Sequence, residues 1–323
     1  MTSDNGEKFI KEQIDSILSQ LSDSDELIIS DDGSSDKTIE IINSYNDSRI
    51  KLLNHKKNPS FSKIKCSRSF YYASANFENA IKCARGDYIF LSDQDDIWEK
   101  DKLAIQAQSI GDKMLCSGFS VPFSTDGYPV QSDMRIPNVH LIRDTYICAI
   151  PGHSMLFKRQ LLAYMQGGET LPLYYDWQIL NVAAAAESIV FVDKVLVHFR
   201  RHNGAATASR PVGNRLLSGG GWRYVTLSLF RHRELQKEVR RRFTTVLPFL
   251  EKLPFSTQSL KDAIYMSRLQ LEKGPCSFFK RVVFFIGHSR SLFYAEEPRK
   301  LVRWLRAAFF VYSCGYYYRA YIK

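Results

Sequence analysis

Over the first two-thirds of the chain, apolar residues alternate between two periods. In residues 9–21 they recur at helical spacing, as Ile10, Ile14, Ile17, Leu18 and Leu21. Residues 26–30 are a short continuous apolar run, the pattern of a buried strand, and the run stops at Asp31-Asp32-Gly33. A helix start is predicted at Ser34/Ser35, with Ile39, Ile41 and Ile42 behind it. Residues 49–54 read as a second strand and residues 70–84 as a helix that stops near Gly86. Residues 87–92 read as another buried strand, running into Asp93-Gln94-Asp95-Asp96; residues 114–121 and 188–192 read as further strands. Strands alternating with helices of about a dozen residues predict βαβ units: an α/β fold with a mainly parallel sheet and helices on both faces.

Beyond residue 209 the character changes. Residues 211–221 are Gly-rich, with Gly219, Gly220 and Gly221 marking a loop or linker. The remainder of the chain is helical and basic, first over residues 231–243 and 260–273. Charge divides at the same place. Residues 1–209 carry 22 Lys+Arg against 27 Asp+Glu, whereas residues 210–323 carry 22 against 7. Two units are therefore expected, a ligand-handling one over 1–209 and a helical, basic one over 210–323 drawn to an anionic surface. Near residues 298–318, Leu301, Trp304, Leu305, Ala308, Phe309 and Tyr312 fall on one helical face and Arg299, Arg303 and Arg306 on the other. That is the pattern of a helix lying in a membrane interface, and Tyr316, Tyr317, Tyr318 and Tyr321 suit the same depth. Residues 278–286, with Lys280 and Arg281, offer a second contact. Because the aromatics stand with aliphatics on one face, an anionic membrane surface is the expected partner and nucleic acid is not.

The six cysteines show neither CxxC nor zinc-finger spacing, the usage of reduced thiols in a cytosolic protein. The first residues form no apolar leader, and no run reaches the roughly 18–20 apolar residues that span a bilayer. A cytoplasmic place, peripheral on the inner face of the cell membrane, is expected.

Two acidic clusters carry the candidate chemistry. Asp31 and Asp32 end one predicted strand, and Asp93, Asp95 and Asp96 end another. The carboxyl ends of parallel strands form the edge where ligands bind, so the two clusters should meet in one crevice. Carboxylates gathered there repel one another unless a cation intervenes. Mg²⁺ typically bridges carboxylates to substrate phosphates, which implies a phosphate-bearing substrate.

Both clusters sit in longer recognisable stretches. Residues 29–38 (ISDDGSSDKT) resemble the nucleotide-binding segment of the inverting family 2 glycosyltransferases of the GT-A fold. Residues 86–98 (GDYIFLSDQDDIW) resemble their DxD segment, in the form frequent among bacterial rhamnosyl- and related surface-polysaccharide transferases. Asn5 to Phe9, Asn76-Phe77-Glu78, Tyr175-Asp176-Trp177 and Phe199-Arg200-Arg201-His202 fit the same order of motifs. The resemblance implies a GT-A catalytic domain with a nucleoside-diphosphate sugar as donor and Mg²⁺ or Mn²⁺ as cofactor. It implies transfer with inversion to a hydroxyl of a glycan or lipid-linked acceptor, in surface polysaccharide synthesis. It also implies roles: Asn5, Asp31, Asp32 and Asp93 on the nucleotide; Asp93 and Asp95 as the DxD pair, with Asp95 the direct metal ligand and Asp96 its alternative. His202 would complete the metal or diphosphate site, and Asp176 would be the general base. Gly152 and His153 fall where the family lines its acceptor pocket, with Trp177 beside the base; His153 departs from the Gly-Cys frequent there.

The family begins with an apolar strand ending in a Thr/Tyr-Asn-Gly segment. Here Met1 stands where that strand should finish and Ser3-Asp4 replace Thr-Tyr, so the first strand is expected to be missing or truncated. The alternative function is accordingly a transferase-like protein that binds nucleotide or membrane only. A haloacid-dehalogenase-type phosphatase also opens on Asp-x-Asp, but Ile97 stands where that enzyme has Thr or Val.

Overall fold

The computed structural model describes residues 1–63, 68–146, 148–166, 174–203, 230–293 and 298–313. Strands β1 (Thr2–Ser3), β2 (Leu27–Asp31) and β3 (Ile50–Asn54) form a parallel sheet in that order. Helix α1 (Ile10–Leu18) packs Ile10, Ile14 and Ile17 against Leu27 and Ile29, and α2 (Thr38–Asn43) adds Ile42 to that cluster. From the other face, α3 (Arg68–Cys83) reaches over β2, where Asn79 donates to Ser30 Oγ at 2.9 Å. With both faces covered, every β2 residue is buried, which is why this strand reads as an unbroken apolar run.

The first strand, expected missing or truncated, is present as two residues. Thr2 pairs with Ser30 and Ser3 with Asp31, while Met1 is buried and its ammonium donates to the Ile28 carbonyl at 2.8 Å. The Thr2 N–H reaches the Ser92 carbonyl at 3.3 Å and so joins this sheet to the next.

The second sheet contains β4 (Tyr88–Phe90), β5 (Ile97–Trp98), β6 (Leu115–Phe123), β7 (Leu156–Lys158) and β8 (Ile189–Arg200), in the order β4-β7-β6-β8-β5. Among these strands the β6–β8 pair is parallel, whereas β4–β7, β6–β7 and β5–β8 are antiparallel. The α/β class stands, but the mainly parallel sheet becomes two sheets, one parallel and one mixed. The cause is insertion: β7 returns between β4 and β6, and β8 runs on past β6 to pair with β5. The β6–β8 register shifts at Gly118, where a Cβ would lie 2.5 Å from Leu196 Cδ1. Glycine is needed there because the neighbouring strand rides directly over the backbone.

The remaining helices are α4 (Lys102–Ser109), α5 (Leu141–Asp144), α6 (Tyr175–Ala185), α7 (His232–Glu251), α8 (Gln258–Leu271), α9 (Pro275–Gly287) and α10 (Lys300–Ser313). The C-terminal four share one buried cluster with the N-terminal segment, since Leu235, Val239, Phe243 and Phe249 of α7 join Leu115, Trp177 and Leu180. Arg242 ties the parts further, donating to the Thr145 carbonyl at 2.8 Å and standing 5.1 Å over the Trp177 ring.

On α10, Arg303, Ala307, Phe310 and Val311 are buried, while Leu301, Leu305 and Phe309 are exposed. The basic face expected for this helix is corrected: Arg303 points inward, and Arg306 lies 4.3 Å over the Phe293 ring. The apolar face is the one left in solvent. The Gly219–Gly221 loop and Tyr316, Tyr317, Tyr318 and Tyr321 lie outside the described residues. Among the described residues, no helix is long and apolar enough to cross a membrane.

Candidate active site

Three loops at the carboxyl ends of β1, β2 and β4 converge. Asp31 organises the first of them: its Oδ1 accepts from the Gly33 and Ser34 amides at 2.9 and 2.7 Å, and its Oδ2 accepts from Ser3 and Ser34 hydroxyls at 2.7 and 2.6 Å. Gly33 sits at φ 82°, which few side-chain-bearing residues tolerate, so the Asp-Gly turn folds back on its own carboxylate. Asp31 is therefore spent on the turn, and Asp32 faces the cleft side, paired with His55 Nδ1. Burial raises the Asp32 carboxyl above its ordinary range, against the pull of His55. Asn5, at φ 52°, accepts from the Ser35 amide at 2.9 Å, while its own amide donates to Ser34 Oγ at 2.8 Å. Gln94 closes the ring: it accepts from the Asp4 amide at 2.8 Å and donates to the Asp4 carbonyl at 3.1 Å. The loops that follow the two acidic strand ends are thus both hydrogen-bonded to the Asp4–Asn5 segment.

Within the second cluster the side chains divide. Asp93, Asp96 and His153 offer ligand atoms all within 4.8 Å of one another. His153 Nδ1 lies 3.5 Å from both Asp93 Oδ2 and Asp96 Oδ2. The Ser120 hydroxyl takes up His153 Nε2 at 2.7 Å, and Phe199 stacks on the ring at 5.4 Å, fixing its orientation. Asp96 Oδ1 accepts from the Arg200 amide at 3.2 Å, but Oδ2 is buried with no hydrogen-bond partner. Burial pushes the Asp96 carboxyl well above the carboxylate range; His153 draws it back, and Asp93 and Asp95 add repulsion. For His153, burial alone would lower the imidazole, yet Asp96 and Asp93 hold it above its ordinary value. An orphaned carboxylate oxygen beside a second carboxylate and an imidazole nitrogen is a donor set that fits a divalent ion such as Mn²⁺ or Mg²⁺.

Asp95 and His202 take a different place. They pair with each other at 3.0 Å, with His202 packed 4.7 Å from the Phe9 ring and Asp95 held by its carbonyl to Arg200 Nε at 3.0 Å. Two sets of side chains therefore offer a nitrogen beside a carboxylate: Asp93 and Asp96 with His153, and the expected pair Asp95 and His202. No spacing in the sequence marks His153 as facing the carboxylates; it arrives on a 3-10 turn, Gly152–Ser154, just before β7.

That turn also reaches Asp176. A Cβ on Gly152 would stand 3.3 Å from Asp176 Cβ and 2.5 Å from the Tyr175 hydroxyl, so the close approach requires glycine. Asp176 lies in the first turn of α6, where its Oδ1 accepts from the Trp177 amide at 2.7 Å. Trp177, expected beside the acceptor, is 2% exposed and packs 5.5 Å from Phe249. That expectation is corrected: Trp177 is core, its ring packed against Phe249 and Arg242 of α7. Beside the crevice runs a groove of about 440 Å³, from His55 and Lys57 past Phe61, Tyr71 and Ser74 to Tyr174.

Residues 1–162 match the model of Glycosyl transferase family 2. The chain belongs to this family. Among similar proteins, dTDP-rhamnosyl transferase RfbG of Shigella flexneri is 40% identical over 106 residues, 32% of this chain and 34% of that protein. The UDP-Glc:alpha-D-GlcNAc-diphosphoundecaprenol beta-1,3-glucosyltransferase WfgD of Escherichia coli is 36% identical over 107 residues, 33% of this chain and 37% of that protein. The Bacillus subtilis protein EpsH is 25% identical over 214 residues, 61% of this chain and 58% of that protein. The chain therefore spans between about a third and three-fifths of these relatives. The fold of this family 2 chain is similar to that of S. aureus TarS 1–349, with a TM-score of 0.53 at 14% identity, covering 98% of this chain and 89% of that one. TarS has also been solved in complex with UDP-GlcNAc. The GT-A fold is drawn from that likeness.

Proposed function

We propose that this family 2 chain transfers a sugar from a nucleoside-diphosphate sugar to a hydroxyl of a glycan or lipid-linked acceptor, with inversion. The observation that carries the reading is the Asp93–Asp96–His153 cluster, with its orphaned buried oxygen, one glycine away from Asp176. Asp93, Asp96 and His153 would hold the divalent ion, which when bound neutralises charge on the leaving nucleoside diphosphate. The groove from His55 to Tyr174 supplies aromatic faces for a base and cations for phosphates. Asp176 accepts the proton of the acceptor hydroxyl as its oxygen bonds to the anomeric carbon. The carbon–oxygen bond to the diphosphate breaks on the opposite face, and the electron pair leaves with the nucleotide.

Names of relatives support the acceptor class: WfgD acts on a sugar diphosphate carried on undecaprenol. A lipid-linked acceptor places the reaction at a membrane surface, in polysaccharide assembly, with the protein peripheral on the cytoplasmic side. The test is isothermal titration of UDP, dTDP and GDP with and without Mn²⁺, on the parent protein and on Asp96→Asn. Binding of one nucleotide that needs Mn²⁺ and is lost in the variant supports the reading. Equal affinity with and without the ion contradicts the assignment of the metal.

A further inference from the structure

Helices α9 and α10 pack against each other, with Phe285 and Phe310 ring centroids 5.3 Å apart, and both bury one face in the common core. Their outer faces are apolar and, among the described residues, uncovered. On α9, Phe279 is 68% and Val283 72% exposed; on α10, Leu301 is 68% and Leu305 62% exposed, flanked by Trp304 and Phe309. Side chains of this size, gathered on two adjacent helices, are more than the scattered apolar residues a surface normally shows. A groove of about 670 Å³ opens beside them, lined by Tyr265 of α8 with Phe279, Val283 and Phe284 of α9.

Charge decides what covers this face. Neither α9 nor α10 contains an Asp or Glu. Lys280 is exposed but paired with Glu272 at 3.2 Å; Arg290, Arg299 and Lys300 are also exposed around the apolar side chains, and Lys300 Nζ lies 4.6 Å over the Trp304 ring. A second copy of this chain would bring one basic rim against another. An anionic lipid surface meets both features at once, apolar side chains in the acyl boundary and cations at the headgroups. A 14-residue helix is about 21 Å long, shorter than the roughly 30 Å hydrocarbon core, so it lies in the plane.

We propose that α9 and α10 together form the docking face for an anionic bilayer, with Phe279, Val283, Leu301, Leu305 and Phe309 entering the boundary. The proposal rests on the reading of a peripheral transferase and names the surface that makes it one. It differs from the sequence expectation in one respect: Arg281 and Arg303, both buried, take no part.

The experiment is co-sedimentation of the full chain with vesicles of phosphatidylglycerol and phosphatidylcholine. The double variant Leu301→Glu/Leu305→Glu and the single variant Phe279→Glu change exposed positions, so folding is checked by melting and should be retained. Each should lower binding about tenfold or more, because each removes buried apolar area and adds repulsion. Binding of the parent should also fall between about 0.1 M and 1 M salt, as the Debye length shrinks from about 10 to about 3 Å. Parent protein that ignores the anionic vesicles, or a double variant that binds them like the parent, overturns the proposal. So does a parent dimer in solution that the double variant breaks, since a second copy then covers the face. Titration with UDP, dTDP and GDP in Mn²⁺ reads the donor site separately. Vesicle binding without nucleotide binding would sink the transferase reading and keep this one.

Discussion

An alanine at position 152 would place its Cβ 2.5 Å from the Tyr175 hydroxyl and 3.3 Å from Asp176 Cβ. Comfortable contact is about 3.5–4.0 Å, so roughly 1 Å has to be found. Tyr175 has nowhere to retreat. Its ring stacks 4.1 Å from Phe77, and its amide donates to Ser74 Oγ at 3.0 Å. The displacement therefore falls on the turn that carries His153 or on the first turn of α6, which carries Asp176. Overpacking of this kind costs about 1–3 kcal/mol, a fall of several degrees in Tm. Shifting a reacting group by about 1 Å costs on the order of 10²-fold in rate, so activity should suffer far more than stability. Scanning fluorimetry and a nucleoside-diphosphate release assay read the two quantities on the same sample. Gly287→Ala is the control, because a Cβ there meets nothing within 4 Å. A Gly152→Ala protein that keeps both the parent Tm and the parent rate would refute the close-packed link between His153 and Asp176.

Asp176→Asn should keep nucleotide affinity and lose about 10²–10⁴-fold in transfer, the usual share of a general base; a variant turning over at the parent rate returns Asp176 to a capping role. Ser120→Ala frees His153 Nε2 and should weaken Mn²⁺ binding about 10–100-fold, read by electron paramagnetic resonance of free Mn²⁺; unchanged affinity removes His153 from the ion's donors. Lys102 is buried beside Trp98 at 4.2 Å and bonded to Gln106 at 2.7 Å, and burial lowers its ammonium to about 7. From about pH 7 to pH 10 the unfolded lysine keeps a proton the native one lacks, so the parent gains stability as pH rises. Lys102→Met has no such proton, and its stability advantage in urea melts should narrow over that window; a gap independent of pH would contradict the buried neutral amine.

Burial explains which elements are legible in the sequence. Strand β2 is plain because an apolar run buried on both faces marks it, and α1 is plain because Ile10, Ile14 and Ile17 face one way. Helix α6 is hard to read for the opposite reason: ten of its eleven residues are buried, so no polar face gives it a period. Strands β5 and β7, two and three residues long, are too short for any alternation to register, and the mixed character of the second sheet is hidden with them. The acidic strand ends are legible as a pair because topology alone brings them to one edge. Which carboxylates face each other is not, because Arg200 and Phe9 decide it from distant positions, turning Asp95 and His202 toward each other. The sequence sets His153 near the acceptor and no further, since a histidine after glycine in a loop carries no record of which way it points. Arg303 is buried although it lies on the basic face of α10, because helical spacing shows which residues share a side while tertiary packing decides which side is covered.

The central claim is metal-dependent sugar transfer by the Asp93–Asp96–His153 cluster and Asp176, and one measurement meets it most directly. The parent protein is incubated with UDP-, dTDP- and GDP-sugars in Mn²⁺, and nucleoside-diphosphate release is followed with and without a chelator. Release from one donor class, abolished by chelation, restored by added Mn²⁺ and absent in Asp96→Asn, is the predicted result. Release that survives chelation, or that proceeds in Asp96→Asn at the parent rate, would contradict it.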